Sequence, residues 1–268
     1  MAVTAGASKR TRRPRDAEGR MRLIEHLREL RRRFVISFAA IAVLGIGGFF
    51  LSDFVLMLLA APLVPLQEER IVELNFTFIT QSFDIKMRIG LLVGVIASSP
   101  VWLYNILAFL LPGLHKGERR YVWGFLASAV PLFLGGCTMG WLLLPRIVQL
   151  FVGFAPAGTT SVLSAQEYFD FSFKLVVAIG LGFVVPVVIV FLNLAGAITG
   201  AAILKGWRWS VLGIALFAAC VTPAGELLSM FLIAGPIIVL YFAAGGFAVL
   251  NDRRRAKRLA ADSSVGTA

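Results

Sequence analysis

Histidine and cysteine are nearly missing from this chain, two of each among 268 residues, and their scarcity excludes whole classes of site. Cys137 and Cys220 both lie in uncharged apolar runs, which suits neither a disulfide framework nor a thiolate metal site. His26 and His115 are far apart in sequence, so a histidine-rich metal site is not expected. No metal-ligand cluster, nucleophile–base constellation or phosphate-cradling glycine loop stands at mechanistic spacing, so neither enzyme chemistry nor a cofactor is expected. Charge is scarce too, at 15% of residues, where soluble domains carry about 25%. What is abundant is oil: 58% of residues are hydrophobic and mean hydropathy is +0.84. One water-soluble core cannot hide that much, so the chain reads as a membrane protein.

A membrane-crossing helix needs about 20 mostly apolar residues, because the hydrocarbon layer is ~30 Å thick and a helix rises ~1.5 Å per residue. Residues 34–59 qualify, with Asp53 near the far end, and residues 89–114 and 121–144 carry no charge at all. Residues 175–204 are also uncharged, but Asn193, Gly196, Thr199 and Gly200 predict that the helix stops near Leu194 and turns. The last apolar stretch, 207–250, is interrupted by Thr222, Pro223, Gly225 and Glu226 and reads as two helices around a short turn. Of these, 207–221 is short for a full bilayer and must thin the lipid locally or pack inside the bundle. The expected fold is all-α: a polytopic membrane protein of six transmembrane helices, the short ones at spans five and six.

Acids are outnumbered, 15 against 26 Lys and Arg, for a net charge of +11. Such an excess suggests nucleic acid or one face of a membrane, and position decides. With six spans, all cations except Arg70, Lys86, Arg88, Arg146 and Lys174 fall on the side of the two termini. Lys and Arg are retained on the cytoplasmic side, so both termini are expected there. The charge is then a topology signal and a contact for anionic lipids, and no nucleic-acid partner is required. Residues 1–20 read as a disordered basic arm, 21–250 as the membrane domain and 251–268 as a basic tail. The first apolar run is too long for a signal peptide. The outer connections, 60–82 and 146–167, read as structured caps at best.

Several polar groups need a reason. Before span one, Leu23, Leu27, Leu30 and Phe34 fall at helical spacing, predicting an amphipathic helix at the cytoplasmic interface. Glu25 and Glu29 share a face of it, and Glu29 stands four residues before Arg33. Two uses are open to these acids: an intrahelical Glu29–Arg33 pair worth ~0.3–0.5 kcal/mol, or reception of an arginine from a partner. Glu118, where span three opens, suits a helix N-terminus. Asp84, Lys86, Arg88, Asp170 and Lys174 read as snorkelling anchors and mutual ion pairs. Pro100, Pro131 and Pro186 predict kinks. Asn105 and Asn193 suit a substrate or, more commonly, interhelical hydrogen bonds.

These residues carry a family likeness. His26-Leu27-x-Glu29-Leu30-Arg31-x-Arg33, then Ala61-Pro62-Leu63, then Ala108-Phe109-Leu110-x-Pro112-Gly113-Leu114 followed by Glu118-Arg119-Arg120, resemble the TatC family. Phe183-x-x-Pro186, Thr222-Pro223 and the six-span layout extend the likeness over residues 23–250. The resemblance implies a receptor rather than an enzyme. It binds twin-arginine signal peptides on folded cargo, recruits single-span TatA and TatB partners, assembles as a homo-oligomer within the receptor complex, and uses the proton-motive force in the cytoplasmic membrane. By matched position it implies signal-peptide contacts at Glu29 and Glu118, with Glu25, Phe109, Arg31 and Leu114 shaping the site. Pro62, Pro186, Thr222 and Glu226 take partner or mechanistic roles. Many members carry Phe-Glu-x-Pro in span four, where this chain has Phe183-Val184-Val185-Pro186. The competing reading is a proton- or ion-coupled small-solute transporter, motivated by Asp170, Lys174, Asn193 and the prolines within spans.

Overall fold

The computed structural model describes residues 23–64, 72–110, 119–153, 161–222 and 227–265. The chain opens with α1 (Leu23–Phe50) and α2 (Ser52–Ala60), closed by a 3-10 turn (Ala61–Leu63). After strand β1 (Val72–Asn75) come α3 (Gln81–Ala97), α4 (Ser99–Leu110) and α5 (Arg119–Gly153). Strand β2 (Ser161–Ser164) leads into α6 (Ala165–Leu194), then α7 (Gly200–Lys205), α8 (Trp207–Val221) and α9 (Leu227–Val265). Four helical segments are long and apolar enough to cross a membrane: Leu27–Phe50, Trp123–Leu150, Ala165–Leu194 and Met230–Lys257. A fifth arises if Gln81–Ala97 and Ser99–Phe109, bent 57° from one another, form one broken span. The apolar α8 is shorter than these.

Several expectations are corrected. The helix leading into span one is continuous with it: α1 runs unbroken from Leu23, since no glycine or proline interrupts residues 23–44. Leu27, Leu30 and Phe34 are exposed on its surface. Span one instead breaks at Leu51, where the amide turns back to the Gly48 carbonyl at 3.1 Å. Arg146 belongs to α5 rather than to a connection, because that helix continues to Gly153. The last helix likewise runs beyond residue 250 through the basic tail to Val265. The all-helical fold is as expected, with one short addition among the described residues. The two outer connections meet side by side as a parallel two-stranded ribbon, Val72 opposite Ser161 through Asn75 opposite Ser164.

Close approach of small residues organises the bundle. Antiparallel α1 and α3 cross at Gly45, Gly48, Gly90 and Gly94, where a Cβ on Gly94 would stand 2.5 Å from the Ile41 carbonyl oxygen. With no water to expel from between lipid-facing helices, such backbone contact is a main source of membrane helix affinity. The same device joins α5 to α6, where a Cβ on Gly136 would meet the Gly180 Cα at 2.8 Å. Around it pack Trp102, Phe125, Phe133, Val184 and Phe191. A second cluster lies under α2 and α9, centred on Leu63, Ile89, Leu144, Phe169 and Ile233. The α3–α4 bend follows from Pro100, which lacks an amide proton and whose ring crowds the preceding turn. The Val95 carbonyl beside the break accepts the Trp102 indole N–H at 2.9 Å.

The last carbonyls of short α2 lack partners within the helix and take them from elsewhere. Trp141 Nε1 donates to the Leu58 oxygen at 3.0 Å, and the buried Tyr168 hydroxyl donates to the Leu59 oxygen at 2.7 Å. Tyr168→Phe is therefore expected to cost about 1–2 kcal/mol, the usual effect of orphaning a buried acceptor. Thermal unfolding of the purified protein in detergent checks this; an unchanged midpoint contradicts it.

Candidate functional site

The first turns of α1 lean against the end of α4. There the Asn105 side-chain amide donates to Ser37 Oγ at 3.0 Å, so Asn105 takes the interhelical role rather than the substrate role. Above that contact lies a recess of about 450 Å³ lined by Arg28, Glu29, Arg32, Arg33, Ile36, Tyr104 and Asn105. Helical geometry explains the roster: Arg28, Arg32 and Ile36 follow one another at four-residue steps, and Glu29 and Arg33 run beside them. Arg31, two residues from Glu29 and Arg33, is exposed and does not line the recess.

Glu29 is occupied. The Arg33 guanidinium donates from Nε at 3.0 Å and from Nη2, both to the same carboxylate oxygen, Oε1. Among the described residues Oε2 receives no hydrogen bond. The Glu29 side chain is 27% exposed and that of Arg33 21%, so the pair sits partly out of water, where such bonds gain strength. A carboxylate held among three guanidinium groups is chemically a cation receptor with a cationic rim. Phe109, one turn beyond Asn105 on α4, is half-buried. Of the other candidates, Glu118 and Leu114 lie outside the described residues, as does Glu226. Glu25 lies in the first turn of α1, and Pro62 occupies the start of the 3-10 turn. Pro186 is buried within α6. Thr222 is buried at the end of α8, its hydroxyl donating to the Ala218 carbonyl at 2.8 Å.

Reasoning from sequence did not single out Arg28, Arg32 and Tyr104. The four-residue step from Arg28 to Arg32, in register with Glu29 and Arg33, was the available signal for the two arginines. For Tyr104 there was none, since its place depends on how α4 docks.

The charged groups at the opposite end of the bundle are paired at the surface. Lys86 reaches Asp53 at 2.7 Å, and Arg88 bridges Asp84 and Asp170, each at 2.8 Å. Lys174 is exposed and has no ion pair among the described residues. Asn193 is bound to the Ile198 carbonyl, to Asp252 and to Asn251. The groups that motivated a solute pathway are thus spent on structure or face outward. Where many members of the resembled family place an intramembrane Glu, Val184 is buried against aromatic rings. A further recess of about 560 Å³ beneath the α3–α4 bend is almost wholly apolar, lined by Leu58, Leu92, Ile96, Pro100, Leu134 and Trp141 among others. It offers an apolar surface and no site for a charged solute.

Comparison with known proteins supplies the family context. The family described as Sec-independent protein translocase protein (TatC) matches residues 25–236. A Sec-independent protein translocase protein TatC from Xylanimonas cellulosilytica is 43% identical over 243 residues, spanning 90% of this chain and 88% of that protein. A chloroplastic TATC from Arabidopsis thaliana is 34% identical over 244 residues, spanning 90% of this chain and 69% of that protein. Among solved structures, a crystal structure of the twin arginine translocase receptor TatC in DDM superimposes with a TM-score of 0.74 at 30% identity. It covers 83% of this chain and 99% of its own.

Proposed function

Because this chain belongs to the TatC family of Sec-independent protein translocase proteins, multi-pass membrane proteins rather than enzymes, we propose that it is a twin-arginine signal-peptide receptor. The observation that carries this reading is the Glu29 carboxylate, lodged in an arginine-rimmed recess and already gripping a guanidinium. The likeness to the crystal structure of a twin arginine translocase receptor supports it. Arginine presents a planar fork of donors that a carboxylate engages in two places, and lysine does not reproduce it. Arg28 and Arg32 penalise any cation that lacks that geometry, so the rim selects as much as the carboxylate attracts.

In this proposal Glu118, together with Glu25, Phe109, Leu114 and Arg31, completes the signal-binding surface. Partners are TatA- and TatB-type single-span subunits, further copies of the chain, and anionic lipids around the basic ends. The proton-motive force drives transport across the cytoplasmic membrane. In this reading the four long spans, the bent α3–α4 pair and short α8 serve as the six crossings, and the clustering of Lys and Arg supports both termini inside. The apolar part of the signal buries itself against lipid and the bundle, so the arginine contact need not be tight. Pro62, Pro186, Thr222 and Glu226 keep partner or mechanistic roles in the proposal.

Glu29→Gln removes the charge and keeps the shape. It is expected to weaken binding of a twin-arginine signal about tenfold or more, the worth of one charge-assisted hydrogen bond, with insertion unaffected. Photocrosslinking of a twin-arginine precursor to the membrane-inserted chain reads this out; crosslinking at the parent level refutes the receptor reading.

A further inference from the structure

Resting on the receptor reading, we propose that Arg33 is a built-in competitor for the signal peptide: a guanidinium of the receptor itself that fills the Glu29 site at rest and sets the threshold a cargo arginine must beat. Three observations on the recess lead there. First, the ligand class proposed for Glu29 and the group bound to it in the resting chain are chemically the same. Arg33 places both Nε and Nη2 on Oε1, much as an incoming arginine would place its own fork. Second, Arg33 is one helical turn from Glu29 on the same rigid helix. Its local concentration is fixed by the backbone, and the contact re-forms whenever the site empties. Third, Oε2 receives no hydrogen bond among the described residues, so an arriving guanidinium has a free oxygen on which to begin exchange before Arg33 lets go.

The energetic consequence is specific. Binding breaks one Arg–Glu pair and makes another, so the arginine contact contributes less net affinity than it would to an empty site, and the apolar part of the signal supplies the rest. In population terms the receptor is competent only for the fraction of time that Glu29 is free, and apparent affinity is reduced by that fraction. A competitor of this kind scales the affinity of every ligand by one common factor. It therefore raises the threshold without changing the ratio between a paired-arginine signal and a paired-lysine signal. Discrimination resides in the fork geometry and the Arg28–Arg32 rim. Absolute stringency, the level below which weak signals go unseen, resides in Arg33.

The test uses the full-length chain in lipid nanodiscs and two fluorescent synthetic signal peptides, identical except that one carries Arg-Arg and the other Lys-Lys. Arg33→Gln is expected to tighten binding of both peptides by the same factor, about two- to fivefold, leaving their affinity ratio at the parent value. Arg33→Lys, which keeps the charge but loses the fork, is expected to fall between Arg33→Gln and the parent. It also serves as the reporter if the glutamine variant fails to fold. Weaker or unaltered binding in these variants, or a changed ratio, overturns the proposal, since Arg33 would then be orienting Glu29 or touching the signal. Glu29→Gln, run in parallel, separates the two levels: if it binds both peptides like the parent, the receptor reading itself fails, whatever Arg33 does.

Discussion

Gly94→Val is expected to break the α1–α3 seam and to cost about 3 kcal/mol or more, the upper range for overpacking. A Cβ at Gly94 would stand 2.5 Å from the Ile41 oxygen, 2.8 Å from the Gly45 nitrogen and 2.9 Å from the Gly45 Cα. All three are backbone atoms, so no side chain can swing aside and the helices must move apart. Separation then forfeits the dispersion contacts along the whole crossing, which lipid tails do not replace with equal packing. A large loss of thermal stability in detergent, with loss of folded yield, is the expected result. The matched control is Gly47→Ala, at a position where an added Cβ meets nothing within 4 Å. There the gain in helix propensity, up to about 1 kcal/mol, has no steric opponent, so the two glycine substitutions are expected to differ in sign.

The second large effect is expected at Asp252. Its carboxylate accepts the Gly200 amide at 2.6 Å through one oxygen and the Asn193 side-chain amide at 2.9 Å through the other. Asn251 closes the circle by donating to Asn193 Oδ1 at 3.1 Å. This knot ties the end of α6 and the start of α7 to the later part of α9. It also spans the turn whose sharpness needs Gly196 at φ +77°. Asp252→Ala removes the acceptor of the Gly200 amide and of one Asn193 N–H, Asn193 keeping its bond to the Ile198 carbonyl, and is expected to cost about 2–4 kcal/mol, the sum of two hydrogen bonds to a charged group less partial rehydration. Asp252→Asn keeps one acceptor and is expected to lose about half as much. Chemical or thermal unfolding in detergent measures both. Equal stability of the alanine variant and the parent refutes the knot as a structural element.

The two cases show where sequence reasoning reached and where it stopped. Local signals were sufficient for the stop at Leu194, announced by Asn193 and Gly196, and for the Glu29–Arg33 pair, announced by its four-residue spacing. Pro100 announced the break between α3 and α4, though not its 57° angle, which depends on what the two segments pack against. Asp252 was read as part of a basic tail because its partners, Asn193 and Gly200, are more than fifty residues away. Likewise the parallel ribbon joins segments 89 residues apart at Val72 and Ser161, and nothing in either short stretch names the other. The recess itself was half legible. Its α1 wall follows from helical periodicity, while Tyr104 and Asn105 arrive only through tertiary docking of α4.

That ribbon has a mechanical corollary. It ties the connection after α2 to the connection after α5 by backbone hydrogen bonds, and Arg88 to Asp170 repeats the tie between the first turns of α3 and α6. The α1–α4 half and the α5–α6 half are therefore clasped at the same extremity. Two arms pinned at one tip can spread only at the other, as with tongs, and the other tip is where the arginine-rimmed recess lies. Any separation of the halves is thus concentrated at the far tip, with the ribbon end as the pivot, while the recess, whose described walls α1 and α4 both belong to one half, travels with that half as a unit.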